Sequence, residues 1–179
     1  MADPGAAPVE FSRPVDLARI GSTETVHEIS ATEAEREALA RRLGLLQLAR
    51  LEARVRLRRA HAGTQVHLAG HLAADVTQAC VVSLEPVQNH VEEDFTVVYG
   101  ELAEDADVSV DVDEESVVEP LPVGSLDIGE AVAQELALAL DPYPHAPGAV
   151  VESAPGADQA PAERSNPFSV LANLRKTEG

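Results

Sequence analysis

Apolar and polar positions alternate with period two through the middle of this chain. Leu51, Ala53, Val55 and Leu57 fall on one side, and Arg50, Glu52, Arg54, Arg56 and Arg58 on the other, the pattern of a half-buried strand. Val66, Leu68, Gly70, Leu72, Ala74 and Val76 repeat it after a turn at His61-Ala62-Gly63. Inward parity is odd in the first run and even in the second. That predicts an antiparallel hairpin pairing Leu57 with Val66 and Val55 with Leu68, with Arg56 opposite His67 and Glu52 opposite His71. A third strand is predicted after Pro86, with Val87, Val91, Phe95, Val97 and Tyr99 on one face. Shorter strands are predicted at 13–17 and 25–30, separated by Gly21-Ser22.

Two stretches change to a helical period. Thr32-Glu33-Ala34-Glu35 is a capping box opening a helix that runs to about Leu43, with Arg41 and Arg42 at its carbonyl end and Gly44 as a left-handed cap. Asp127-Ile128-Gly129-Glu130 has the same form. Its helix buries Ile128, Val132, Leu136 and Leu140 and stops at Asp141-Pro142. Together these elements predict an α+β domain over 11–144, an antiparallel, twisted or barrel-like sheet with two helices. Residues 1–10 are expected to be disordered. The acid-rich stretch 101–119 is expected to be a mobile insertion, and 145–164 a Pro/Ala/Gly-rich linker. Within 165–179, Phe168, Leu171 and Leu174 would line one side of a short, tethered C-terminal helix, a docking tail or a segment that folds back.

Composition sharpens this outline. No apolar run is long enough to cross a bilayer, and the start, MADPGAAPVEF, lacks the charged and apolar regions of a secretory signal, so no membrane partner is expected. One cysteine allows no internal disulfide, and a reducing, cytoplasmic setting is expected. Twelve of the thirteen basic residues are Arg, the bias of a GC-rich bacterial coding sequence. The net charge of −18 is unevenly spread: residues 1–59 hold ten Arg against nine acids, whereas 60–163 hold 21 acids and no Lys or Arg. A uniformly acidic surface would repel nucleic acid, but a segregated one can carry a basic patch.

That patch is the main candidate for function. Eight basic residues lie in 36–59, and Arg50, Arg54, Arg56 and Arg58 share one strand face, where alternate residues stand about 6.6–6.8 Å apart. Guanidinium groups bind phosphate bidentately. The competing reading is a solvated face whose arginines pair with acids. The chain offers no aromatic platform for stacking bases, so backbone and shape would dominate any RNA contact. Catalytic chemistry is weakly represented. His67 and His71 have a zinc-like spacing only on a helix; on a strand they stand about 13 Å apart. Cys80, in strand continuation with Val82 and Leu84, is expected to pack inward as a small hydrophobe, with Ser83 on the opposite face. No phosphate loop or nucleophile motif is present, and no cofactor, metal or small-molecule substrate is expected.

ACVVSLEPV (79–87), the Phe95 strand, the acidic insertion, LDIGEAVAQELALALDPYP (126–144) and NPFSVLANLR (166–175) occur in an order that resembles the YceD family, over roughly 12–144 and the tail. The resemblance implies a non-catalytic factor supporting synthesis, processing or stability of large-subunit ribosomal RNA, and so ribosome biogenesis. Many relatives carry C-x-x-C here, and this chain has Cys80 but Ser83 in the second position, which excludes a two-thiol function. Cys80, Leu84, Glu85 and Pro86 are then a fold signature. Two mechanisms remain open: the arginine face touches ribosomal RNA, or the acidic region 92–119, with twelve acids and no bases, holds a basic ribosomal protein. The alternatives are a small metal- or thiol-dependent enzyme using His67, His71 and Cys80, or a generic acidic interaction scaffold.

Overall fold

A computed structural model describes residues 10–100 and 118–150. The N-terminal segment, most of the acidic insertion, most of the linker, and Phe168, Leu171 and Leu174 lie outside the described residues. The chain divides between Pro147 and Gly148, and every described helix and strand belongs to the first unit. In order these are β1 (Pro14–Asp16), β2 (Thr25–Ser30), α1 (Glu33–Leu43), β3 (Gln47–Ala60), β4 (Gln65–Ala79), β5 (Pro86–Gly100), β6 (Val118–Pro120), β7 (Ser125–Asp127) and α2 (Ile128–Ala139).

The fold is α+β, with five strands in the order β2-β3-β4-β5-β6 and a separate antiparallel β1–β7 pair. The predicted antiparallel or barrel-like sheet needs two corrections. The sheet is open, with β2 and β6 at its edges, and it is mixed, because β5 and β6 run parallel. Parallel neighbours need a crossover connection, and residues 101–117 separate these two strands.

Alternation put the inward residues where they are found. Val55, Leu57, Val66, Leu68, Leu72 and Ala74 are fully buried, and α1 and α2 cover this face with Leu39, Ile128, Val132 and Leu136. The hairpin register differs from expectation by two residues: Leu57 pairs with Leu68 and Val55 with Gly70. The connection is a four-residue 61–64 loop in which His61 and Gly63 adopt positive φ. A slip of two preserves which face each side chain occupies, so the hydrophobic pattern could not detect it. A bulge between Leu48 and Arg50 then reverses parity, so Leu48 and Leu51 both point inward.

Helix α1 has both halves of its capping box, and Gly44 closes it at φ 67°. Helix α2 keeps the Asp127 cap but not a reciprocal box. Asp127 accepts from Gly129 and Glu130 N–H, while Glu130 turns to Arg42 at 2.6 and 2.8 Å. Asp127 also accepts from Arg13 N–H at 2.7 Å, tying the start of α2 to β1.

Candidate functional site

The outer face of the sheet carries the arginine stripe, and the corrected register changes its neighbours. Arg58 stands opposite His67, Arg56 opposite Ala69, and Arg54 opposite His71. On the far side of β3, Val26 and Glu28 of β2 flank Arg56 and Arg54. Arg54, Arg56 and Arg58 are exposed and form no ion pair among the described residues. Arg50 is different: its Nε lies 3.1 Å from Asp75, and Glu52 is 3.6 Å from another of its nitrogens. The four-residue stripe is therefore three open guanidinium groups and one that is ion-paired.

Other arginines of the 36–59 cluster serve the fold. Arg59 donates to the carbonyls of Ile20, Gly63 and Leu17 at 3.0, 2.9 and 2.6 Å. It sits at an odd position of β3, the parity of the inward residues Leu51 to Leu57. Arg42 bridges Glu10 and Glu130, and Arg36 donates to Ala31 O.

Histidines divide the face into two halves. Near Arg58, His67 stacks on His61 with ring centroids 6.1 Å apart and planes 13° apart. Burial, then the charges of Arg58 and His61, push the His67 pKa down. At the opposite end His90 lies 2.6 Å from Asp75 and 3.3 Å from Glu92, and these carboxylates push its pKa up. His71 sits between the halves, 3.1 Å from Asp94. One half of the face is thus cationic, and the other neutralises itself. Sequence reasoning missed the His61–His67 stack because it depends on the turn, which alternation does not encode.

Cys80 is buried, as expected, but in a different setting. Strand β4 ends at Ala79, and the chain turns so that Val82 and Ser83 N–H each point at Cys80 Sγ at 3.4 Å. Leu84 is not inward: it lies at φ 62°, 76% exposed. Ser83 approaches the thiol instead of pointing away. Cys80 N–H donates to Glu85 O at 2.8 Å and Leu84 N–H to Cys80 O at 3.0 Å, which closes the turn before Pro86. Ala146 N–H, then the Ser83 hydroxyl and N–H, hold the thiol at about 6, below its ordinary range, against the opposing effect of burial. The chain after α2 is therefore packed on this turn, and Val81 N–H also donates to Pro144 O at 2.9 Å. His71 and Ala79, the last residue of β4 before Cys80, are eight residues apart along the strand, about 26 Å at strand rise, so the candidate enzyme residues do not converge. Among the described residues no group of three potential ligands could hold a metal ion.

A family profile described as "Large ribosomal RNA subunit accumulation protein YceD" matches residues 68–175, more than half of the chain. The chain belongs to this family. No curated protein and no solved structure matches it. The YceD description links the chain to accumulation of large-subunit ribosomal RNA. The matched span opens at Leu68 in β4 and takes in the Cys80 turn, β5 and α2. Arg50, Arg54, Arg56 and Arg58 precede it, so the YceD match does not cover the stripe. No described helix is long and apolar enough to cross a membrane.

Proposed function

We propose that this protein supports large-subunit ribosomal RNA accumulation, in the cytoplasm and without catalysis, by binding the RNA backbone through Arg54, Arg56 and Arg58. The observation that carries the reading is that these three guanidinium groups alternate on the exposed face of β3 with no carboxylate partner among the described residues. Steps of about 6.6–6.8 Å let each contact a separate phosphate of an extended strand. His67 and His71 line the same side. No Phe, Tyr or Trp shares that part of the face among the described residues, which favours recognition of backbone and shape over base identity. The acidic remainder limits non-specific adhesion to RNA. Arg50 contributes less, because Asp75 and Glu52 compete for it.

The test is crosslinking of the tagged protein in living cells followed by denaturing purification. Ribosomal RNA fragments should be recovered with the wild type and absent with R54D/R56D/R58D. Unchanged recovery with a folded variant rejects the stripe as the RNA-binding face.

A further inference from the structure

The arginine stripe runs towards the 61–64 loop, and Arg58 is its last member. Strand β3 ends two residues later at Ala60, and His61 follows as an exposed residue. The His61 and His67 rings, 6.1 Å apart and 13° from parallel, have the geometry of an offset aromatic stack. His67 stands between its register partners, Arg58 on β3 and Val98 on β5. The loop is tied down as well. The His61 carbonyl accepts from Thr64 N–H at 3.2 Å and from the Thr64 hydroxyl at 2.8 Å, while Arg59 donates to Gly63 O at 2.9 Å. These bonds keep His61 in a left-handed backbone conformation, φ 48°, that residues with a side chain rarely adopt. Core packing does not account for this arrangement. His61 is exposed, and His67 Nε2 is buried with no hydrogen-bond partner among the described residues.

We infer that His61, backed by His67, is a stacking platform for one unpaired base of an RNA whose phosphates lie along Arg54, Arg56 and Arg58. The inference rests on the RNA reading of the stripe and narrows the kind of RNA it takes. Imidazole is one of the side chains on which splayed-out bases stack. His67 occupies one side of the His61 ring and leaves the rest open to solvent. The platform is built before RNA arrives, so little ordering cost falls on binding. Burial and the charges of Arg58 and His61 lower the His67 pKa, which favours an uncharged ring beneath the platform. Arg58 to Ala60 is one strand step of about 6.6–6.8 Å, so the stacked base belongs to the nucleotide next to the one held at Arg58. Every base has a π-face, so the platform adds affinity without reading base identity. It does discriminate between structures. A continuous duplex keeps its bases inside the helix, whereas a single strand, a bulge or a loop can offer one to His61.

The full-length chain is titrated by fluorescence anisotropy, at one fixed salt concentration, with a labelled, unstructured twelve-nucleotide RNA. An abasic ribose-phosphate chain of the same length and charge is the comparison. His61→Ala should weaken binding of the RNA about five- to tenfold, the lower end of the range for losing one base–aromatic stack, and leave the abasic chain unaffected. His61→Phe should restore binding, because it returns a ring without a charge, and His61→Lys should not. The His61 ring protons should move upfield in NMR spectra when the RNA is added. Circular dichroism confirms that each variant is folded. R54D/R56D/R58D should lose both ligands. Unchanged RNA affinity in His61→Ala, with both ligands still lost in the triple variant, would overturn the platform and leave the stripe standing. Equal losses for RNA and abasic chain, or full rescue by Lys, would assign His61 to the backbone and overturn stacking. Wild-type protein that binds neither ligand would overturn the stripe and the platform together.

Discussion

Arg58 faces His67 across the β3–β4 pair, and His67 in turn stacks on His61 with ring centroids 6.1 Å apart. Burial, then Arg58 and the neighbouring ring, oppose a positive charge on His67. The His67 pKa is therefore lowered beside a permanent cation, while that of His90, on the same face, is raised by Asp75 and Glu92.

The two histidines should titrate on opposite sides of the ordinary value of about 6.5. His67, lowered in the folded state, binds its proton more readily in the unfolded chain, so its contribution to stability falls as pH drops through about 6.5. His90 is raised, so its contribution is full below about 6.5 and disappears as pH rises through its folded value. Histidine NMR titrations read both directly. Urea midpoints at pH 7.5 and 5.5 supply the linkage: His67→Gln should lose less than wild type on acidification, and His90→Gln should lose more. A His67 midpoint at or above 6.5 would contradict the corner geometry.

Arg50 and Arg56 share a face but not an environment, and charge reversal should separate them. Arg56→Asp should weaken RNA binding and reduce the slope of log affinity against log salt by about one, the value for one phosphate left without its cation. Arg50→Asp should change that slope less, because Arg50 is already paired with Asp75. Filter binding to a structured RNA over a salt series measures both. Equal slopes for the two variants would mean that the carboxylates around Arg50 do not restrain it.

The sequence revealed faces better than neighbours. Period-two alternation assigned Leu57 and Val66 to the core and Arg54, Arg56 and Arg58 to solvent, because burial enforces parity. It could not tell that Arg54, and not Glu52, stands opposite His71, because a two-residue slip leaves every face unchanged. The ends of α1 were readable from Thr32, Glu35 and Gly44, whose backbone hydrogen bonds are local. The Cys80 environment was not, since its first polar neighbour is Ala146, far along the chain. Parallel pairing of β5 with β6 was equally hidden, because three residues carry too little pattern.

Gly70 should be intolerant of a side chain. It sits opposite Phe95 in the β4–β5 pair, and a Cβ there would collide with the Phe95 ring. Gly70→Ala should destabilise the domain by about 1–3 kcal/mol, the range for overpacking a well-filled core. Thermal or urea unfolding measures the loss. Adding Phe95→Leu should recover part of it, whereas purely additive losses would show that the ring is not the obstacle.

Cys80 supplies a prediction with the opposite pH sign to that of His90. Hydrogen bonds from Ala146 N–H, Ser83 and Val82 N–H favour the thiolate, which lowers the folded pKa to about 6 from the ordinary thiol value of about 8.5. A depressed acid contributes stability that is fully present above the unfolded pKa and lost as pH falls through the folded one. Cys80→Ala should therefore cost more stability at pH 9 than at pH 5.5, with most of the change between about 6 and 8.5. Thiolate absorbance near 240 nm should rise with a midpoint near 6 in the folded protein. Reaction with a maleimide should nonetheless be slow, because the residue is fully buried. Rapid labelling at pH 7 would mean that the turn opens readily. A midpoint above 8.5 would mean that the three residues around the sulfur do not hold its charge, and that Cys80 is only a small apolar side chain at the end of β4.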